Sequence, residues 1–439
     1  MANKTRPKKV KAPYRKYVAG EGFYKVSLSQ ESSFSVVSSI RKLNLNDTPN
    51  SLDFPKTALV TNYYHDGQDM KLPWELQKLI IEYASSLPNT EEYSSTESNS
   101  NRKNTRGVVP KEFCLVCHQW YNYSLPLLYF SPKLTSYNFH KFVDCLIVDK
   151  KRKNGDLVFE LDLSTILQSG KNSYVSKLLR RCSKNLVKFT APQTSFGYSP
   201  LISLKSCHNL KYLDLGLVSE TVKLKELFAA IKNFKSLTHL SFPRSSIDCD
   251  GCEEGFQWPM NLQYLKLSGG LTNEFVRTTS WPTTIITLEF SDCPKLDEQS
   301  VYVILDKIGN NLKRLLFYYP MPSLRDNSLD FIFRYCPNLI TIQLMVDYCT
   351  RWTFSEYMLI KLENFQRPLR TLILQSSGRL GMASKIHPDD FTIAILEDRL
   401  PNLRSLSISE KLGWDMKSDD VEDLITAIED QGGSLYSIY

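Results

Sequence analysis

The sequence predicts an α/β solenoid, with short parallel strands on a concave face and helices on the outside, preceded by a small all-α unit. Two observations lead to this fold class. A short leucine-spaced phrase returns at regular intervals, and the segments between its copies carry apolar residues at helical spacing. At 439 residues and 42% hydrophobic composition, the chain is long enough to bury such a core.

The repeated phrase has the form LxxLxL. Its ten copies begin at Asn185, Asn209, Ser236, Asn261, Thr284, Asn311, Asn338, Pro368, Asn402 and Ser434, and their leading apolar positions lie 23 to 34 residues apart. A weaker copy around Val158 precedes them. This period is typical of leucine-rich repeats, where each LxL is a strand and one repeat is stable only when it packs on its neighbours. We therefore expect a leucine-rich-repeat solenoid of about ten to eleven repeats over residues 135–439. Because the last copy ends at Tyr439 with no polar cap after it, either its strand pairs with another segment or the true end lies elsewhere.

The formal charge of +7 belongs to the N-terminal segment. Residues 1–17 contain seven Lys or Arg and no Asp or Glu, which leaves the rest of the chain neutral, so a nucleic-acid-binding face is not expected on the folded body. Residues 1–69 show no sustained periodicity and are predicted to be disordered or loosely attached. The basic tail is a nuclear import signal, a contact for an acidic surface, or a solvated tail without a specific role.

No apolar run reaches the length of a membrane span, and no secretory signal is recognisable at the N-terminus. We therefore expect a cytoplasmic or nuclear location, or both, with free cysteines. No catalytic or nucleotide-binding fingerprint occurs, so we expect no catalytic residues, no cofactor and no metal. Two cysteine pairs nevertheless have zinc-ligand spacing. Cys114 and Cys117 lie in an apolar run that favours core packing, whereas Cys249 and Cys252 lie in a polar loop where metal binding stays open.

Residues 70–134 hold two apolar segments on either side of a polar insertion. In the first segment, one face of a predicted helix carries Leu72, Leu76, Leu79, Ile80 and Tyr83, with Pro73 near its start. The second segment contains an LVC-xx-W phrase that begins at Leu115 and a PLLY phrase that begins at Pro126. Residues 88–110 between them are rich in Ser, Asn, Thr and Glu and are predicted to be a flexible insertion.

These phrases resemble the F-box, a helical motif that docks onto the Skp-family adaptor of cullin–RING ubiquitin ligases. The sequence departs from the usual motif in the insertion that separates its two halves. The resemblance implies that the following residues bind the adaptor: Leu72, Pro73, Leu76, Ile80, Leu115, Trp120 and Leu128. The apolar surface of this segment exceeds what it can bury within itself, which also indicates a partner site. Alternatively, the same side chains pack on the first repeat as an N-terminal cap.

Positions between the leucines of each LxL face the concave side of a solenoid. In the repeats that begin at Asn311, Asn338 and Pro368, several of these positions are apolar although solvent is expected there. We therefore predict that a protein substrate binds at Arg314, Leu316, Tyr318, Gln343, Met345 and Ile373. Alternatively, the curvature of the coil or its C-terminal end covers these residues.

The resemblance implies a non-catalytic substrate-recognition subunit of a Skp–cullin–F-box ubiquitin ligase. Its partners would be the adaptor, through it a cullin, and a protein substrate, with no nucleic acid. Two other functions stay open: an F-box scaffold that acts outside ubiquitination, and a leucine-rich-repeat interaction protein whose helical segment caps the coil.

Overall fold

The solenoid prediction is confirmed by the structure, a computed structural model that describes residues 15–18, 22–25, 72–86, 111–147, 153–166, 172–247, 256–363 and 366–439. In these residues, eleven parallel strands and two antiparallel strands form one 13-stranded sheet. In chain order the strands are Arg15–Val18 (β1), Gly22–Lys25 (β2), Glu160–Asp162 (β3), Lys188–Thr190 (β4), Tyr212–Asp214 (β5), Val222–Lys223 (β6), His239–Ser241 (β7), Ser246–Ile247 (β8), Tyr264–Leu267 (β9), Thr287–Phe290 (β10), Arg314–Phe317 (β11), Thr341–Met345 (β12), Thr371–Gln375 (β13), Ser405–Ser409 (β14) and Ser434–Ile438 (β15). Strands β6 and β8 form a separate pair.

Helices lie between the strands and before the sheet. The α-helices are Trp74–Ser86 (α1), His118–Phe130 (α2), Phe139–Ile147 (α3), Asn172–Cys182 (α4), Tyr198–Leu204 (α5), Leu224–Ile231 (α6), Asn273–Thr278 (α7), Glu298–Ile308 (α8), Ile332–Tyr335 (α9), Pro388–Leu396 (α10) and Asp419–Asp430 (α11). Short 3₁₀ helices cover Lys111–Leu115, Asn154–Leu157, Gly309–Asn311, Val346–Tyr348, Arg351–Phe354, Met382–Ser384 and Glu410–Leu412. None of the helices in the described ranges is long and apolar enough to cross a membrane.

The apolar positions of the repeated phrase stack in register along the coil. Leu288 on β10, for example, aligns with Leu265 on one side and Leu315 on the other, and all three are fully buried. Burial of each such leucine stabilises the coil by roughly 1.5–3 kcal/mol. Because each strand contacts only its neighbours, the core is a continuous column rather than a single centre.

The asparagine that opens most copies of the phrase joins each repeat to the one before it. The Asn209 side-chain amide donates to the Lys184 carbonyl at 2.8 Å, and that of Asn338 donates to the Asn310 carbonyl at 2.9 Å. The side chains of Asn185, Asn261, Asn311 and Asn402 make the equivalent bond. Each bond satisfies a turn carbonyl that the strand ladder does not reach.

Helix α8 shows why the intervening segments are helical. Asp297 caps its first turn by accepting from the Ser300 amide at 2.9 Å, and Val301, Ile304 and Ile308 form its buried face. The next repeat approaches so closely that a Cβ on Gly309 would lie 2.5 Å from the Tyr335 carbonyl oxygen.

Three cysteines in the turns next to the strands lie inside the coil. Cys207, Cys293 and Cys336 are fully buried, and burial raises the pKa of each thiol to about 12. They act as small apolar side chains in the coil.

Two short segments of residues 1–69 form strands at the end of the sheet. Strand β1 pairs antiparallel with β15, the last strand of the coil, and β2 pairs antiparallel with β1. The last strand therefore pairs with another segment of the chain, which is the first of the two alternatives that the sequence left open for the end of the coil. The other residues of 1–69 lie outside the described residues, as does the predicted insertion at 88–110.

The helical segment joins the coil without a gap. Helix α3 packs on α4, and its buried residues Phe139, Val143 and Leu146 belong to the same core as the repeats. Leu134, at the end of the predicted helical domain, belongs to that core as well. The division into 70–134 and 135–439 therefore stays a prediction, since the core runs continuously across the boundary.

Candidate functional site

Helix α1 presents an apolar face to solvent. The side chains along this face have exposed fractions between 44% and 56%, and they are Leu72, Leu76, Leu79, Ile80 and Tyr83. With Ala84 they line one open depression. Ile81, on the opposite side of the helix, is fully buried and anchors it. These five residues do not pack on the first repeat, so the capping alternative does not account for them.

A hydrogen-bonded glutamine fixes the angle between α1 and α2. The Trp120 indole donates to the Gln77 side-chain oxygen at 3.0 Å, and the Gln77 amide donates to the Leu72 carbonyl at 2.6 Å. The Trp120 ring also meets Phe113 edge to face at 5.3 Å. Trp120 is therefore half-buried and positions α1, while Leu72 and Pro73 at the helix start remain exposed.

The other predicted adaptor-binding residues fall into two groups. Leu115, with 84% of its surface exposed, and the neighbouring Val116 lie just before α2. Leu128 is half-buried near the end of α2, where the helix approaches the coil. The structure thus gathers Leu72, Leu76 and Ile80 on one face and separates Leu128 from them along α2. The exposed side chains of Trp74 and Val116 were not predicted, although Val116 stands inside the LVC-xx-W phrase and Trp74 directly follows Pro73.

The prediction that Cys114 and Cys117 pack in the core is wrong for Cys117. Cys117 is exposed and caps α2, because its sulfur accepts from the Trp120 amide at 3.5 Å. The helix begins only at His118, after the 3₁₀ turn. Within the described ranges, no group of three or more His, Cys, Asp or Glu side chains could hold a metal ion, and Cys249 and Cys252 lie outside those ranges.

The end of α2 is attached rigidly to the first strand of the coil. Phe130 stacks on Phe159 at 4.9 Å, and the Phe159 amide donates to the Phe130 carbonyl at 3.0 Å. The Ser131 hydroxyl adds a bond to the Glu160 carboxylate at 3.1 Å. Helix α2 therefore links the exposed face of α1 to the concave sheet.

The predicted substrate-binding residues lie on β11, β12 and β13 or directly after them. Leu316, Gln343 and Ile373 are successive members of one row across the sheet. Leu316 and Ile373 are half-buried and Arg314 is exposed. Tyr318 is half-buried, and its ring lies 5.4 Å from the Lys266 ammonium.

Two of the six predicted substrate residues are not accessible. Gln343 is 6% exposed because its amide donates to the Phe317 carbonyl, just beyond the last register pair of β11 and β12. Met345 is 4% exposed and lies within a run of buried residues from Ile342 to Cys349. Gln343 and Met345 are therefore structural residues, and the prediction that they contact a substrate is wrong.

The segment that follows β12 is hydrogen-bonded to the loops that follow β11 and β13. The Tyr348 hydroxyl accepts from the Met321 amide at 2.8 Å, and the Asp347 carboxylate accepts from the Ser377 amide at 2.9 Å. On the exposed rim of this cluster, Arg379 donates to the Tyr319 hydroxyl at 3.0 Å and lies over its ring. Sequence analysis missed Tyr319 and Arg379, although the Tyr318–Tyr319 pair directly follows a strand.

A stack of three rings occupies the first half of the concave face. His239 lies between Tyr212 at 3.9 Å and Tyr264 at 3.7 Å, and the Lys188 ammonium lies 4.8 Å from the Tyr212 ring centre. Burial, assisted by the positive charges of Lys188 and Lys266, lowers the pKa of His239 to about 3. The imidazole is therefore neutral near pH 7, and the stack holds these strands in register.

This shift predicts a pH-dependent stability. The unfolded imidazole has a pKa near 6.5 and the folded one near 3, so below about pH 6.5 the unfolded state binds more protons and stability falls. We expect the urea midpoint of the wild type to drop between pH 7 and pH 4.5, and His239→Gln to drop less steeply. The exposed His208→Gln variant is the matched control and should follow the wild type. Equal slopes for His239→Gln and the wild type would contradict the assignment.

Comparison with known proteins places the chain among relatives that match it over most of its length. It is 55% identical over 492 aligned residues to F-box protein YDR306C of Saccharomyces cerevisiae, and the match spans 100% of both chains. It is 36% identical to Protein pof5 of Schizosaccharomyces pombe, over 73% of this chain and 90% of that one. No family model matches the sequence.

Two solved structures show weaker similarity. A chain in the crystal structure of the Rad7 and Elc1 complex in yeast matches with a TM-score of 0.39 and 13% identity, over 75% of this chain and 85% of that one. The leucine-rich repeat-containing protein LegL7 from Legionella pneumophila matches with a TM-score of 0.35 and 13% identity, over 62% of this chain and 91% of that one. The family follows from the sequence relatives alone: with 55% identity to an F-box protein over its whole length, the chain belongs to the F-box protein family.

Proposed function

We propose that this protein is the substrate-recognition subunit of a Skp–cullin–F-box ubiquitin ligase. The exposed face of α1 would dock the Skp-family adaptor, and the concave sheet would bind a protein substrate. The observation that carries the proposal is the apolar face of α1, whose five large side chains are about half exposed in a chain that belongs to the F-box protein family. A folded protein gains nothing from leaving such a face in water unless a partner covers it.

The chemistry of this face fits another protein's helices. Its side chains are aliphatic or aromatic, and they recur at three- and four-residue spacing along α1, which suits packing against an apolar groove. Leu115 and Val116 extend the apolar surface beyond the helix. Lys78 and Glu82 form an exposed ion pair on the same helix at 3.7 Å. This pair lies beside the apolar face and not within it.

Substrate binding is proposed on the concave side of β11 to β13. The accessible residues there are Arg314, Leu316, Tyr318 and Ile373, with Tyr319 and Arg379 on the adjoining rim. Tyrosine and arginine, together with tryptophan, are enriched among the hot-spot residues of protein interfaces. The protein itself would perform no bond chemistry: it would hold the substrate near the ligase's catalytic partner at high effective concentration. We propose that it works in the cytoplasm, the nucleus or both.

Purification of the full chain with its proposed partners tests this function. The tagged wild type is mixed with a purified Skp-family adaptor and then with the adaptor-bound cullin. Recovery of adaptor and cullin together is the result expected for a ligase subunit. Recovery of the adaptor with the cullin excluded would favour the scaffold function. If neither binds, the protein is a leucine-rich-repeat interaction protein and the proposal fails.

A double substitution on the concave face tests the substrate site separately. Tyr318→Ala with Ile373→Ala should weaken capture of substrate proteins at least tenfold, because both side chains are accessible while the buried layer beneath them is untouched. Quantitative mass spectrometry of captured proteins measures the loss. The control is Tyr357→Ala with Ile360→Ala, an exposed pair of the same residue types in the segment between β12 and β13. Unchanged capture by the first variant, with adaptor binding retained, would show that the substrate binds elsewhere.

A further inference from the structure

The C-terminal end of the coil is closed by residues from the other end of the chain. Strand β1 pairs with β15 at two positions, Arg15 with Ser437 and Lys16 with Tyr436, whereas β14 pairs with β15 at five. Beyond β1, β2 adds four more register pairs and completes a hairpin. The ladder between the hairpin and the coil is thus the shortest link at this end of the sheet.

Each partner in this link needs the other. An unpaired β15 would expose a row of backbone donors and acceptors, which invites pairing with other chains. An isolated two-stranded hairpin is itself marginally stable in water. Two backbone pairs contribute only about 0.5–1.5 kcal/mol per hydrogen bond, so the link can open without unfolding the coil.

Charge favours the same arrangement. Helix α11 packs directly on β15 and contains six acidic residues with no Lys or Arg: Asp419, Asp420, Glu422, Asp423, Glu429 and Asp430. Its apolar side, which includes Leu424 and Ile428, is buried, and most of the acidic positions are exposed. Strand β1, which pairs here, carries two basic residues, Arg15 and Lys16, and no acidic ones. Opposite charges attract over a Debye length of about 10 Å at 0.1 M salt.

We infer that the hairpin formed by β1 and β2 is a displaceable clasp that caps the C-terminal end of the solenoid, and that the β15 edge beneath it accepts a basic β-strand. The backbone of β1 then satisfies the last strand of the coil. This inference does not depend on binding to the adaptor or to a substrate.

Hydrogen exchange of the full-length chain tests the clasp. Proline at position 16 removes a backbone donor from the middle of β1 and disfavours pairing there. In Lys16→Pro, we expect residues 434–438 to exchange about tenfold faster than in the wild type, while residues 341–345 of β12 stay unchanged. Lys11→Pro loses the same charge outside the strand and should leave residues 434–438 near wild-type exchange. Equal protection of residues 434–438 in Lys16→Pro and the wild type would overturn the clasp.

Two further measurements test the electrostatic contribution to the clasp and the strand-accepting edge of β15 separately. Raising the salt from 50 mM to 500 mM should speed exchange of residues 434–438 in the wild type, and salt-independent exchange would overturn the electrostatic contribution. A synthetic peptide of residues 12–26, added in excess to Lys16→Pro, should restore protection of β15, and a failure to restore it would overturn the strand-accepting edge. If protection in the wild type falls on dilution together with a dimer mass, the hairpin comes from a second copy and the clasp within one chain is wrong.

Discussion

Replacing Leu76 and Ile80 together by aspartate is expected to weaken binding to the Skp-family adaptor at least about a hundredfold. Both side chains are close to half exposed and lie one turn apart on α1, so the substitution removes apolar contact area from the centre of the proposed interface. It also places two carboxylates where an apolar partner would have to desolvate them. Calorimetric titration of the purified adaptor into wild type and variant measures the difference.

The control is another exposed apolar pair on a different helix. Ile393 and Leu396 lie three residues apart on α10 and are exposed, and Ile393→Asp with Leu396→Asp should bind the adaptor like the wild type. Because all four side chains face solvent, both double variants should keep the thermal unfolding temperature of the wild type within a few degrees. Wild-type affinity in the Leu76→Asp, Ile80→Asp variant would remove α1 from the adaptor interface.

Truncating Phe317 is expected to give the largest loss of stability, about 3–5 kcal/mol for Phe317→Ala. The ring is fully buried and stacks on Phe290 of the preceding repeat, with 4.9 Å between the ring centres and 7° between the ring planes. Its removal leaves a cavity between two repeats in the middle of the coil and disturbs the carbonyl that Gln343 binds. Urea unfolding followed by circular dichroism measures the loss.

A graded series makes the result diagnostic. Phe317→Leu keeps an apolar side chain in the same space and should lose less than Phe317→Ala. Tyr319→Ala, two residues later on the exposed rim, should change stability by less than about 0.5–1 kcal/mol. If Phe317→Ala and Tyr319→Ala unfold at the same urea concentration, the stacked ring does not contribute to the core as described.

The fold could be predicted because the repeat is local. Every LxL phrase corresponds to a strand, and the weaker copy at Val158 corresponds to β3, because burial of the central leucine is decided within one repeat and its neighbours. The exposed face of α1 could be predicted for the same reason, since five apolar residues on one helix face are visible in thirteen consecutive residues.

The errors share a different physical cause. Strict alternation would expose Gln343 and Met345, but the Gln343 amide binds the Phe317 carbonyl of the preceding repeat, and Met345 lies in a buried run that continues through Asp347 and Tyr348, which bond to neighbouring repeats. No local pattern encodes these contacts between repeats. The pairing of β1 with β15 joins residues at opposite ends of the chain. The sequence near the N-terminus could have indicated only the hairpin of β1 and β2, because RKYV and GFYK are separated by the three residues Ala-Gly-Glu.

The asparagine bonds between repeats have a consequence for how this surface can change. Each side-chain amide needs only a backbone carbonyl on the preceding turn, and every residue type supplies that carbonyl. The joints between repeats are therefore indifferent to the side chains on the concave sheet. Residues at concave positions can therefore be substituted one at a time. Examples are Thr341, Thr371 and Ser405, which lie in register on adjacent strands. Selection for a new partner can then act on the proposed binding surface while the scaffold beneath it keeps the same stability.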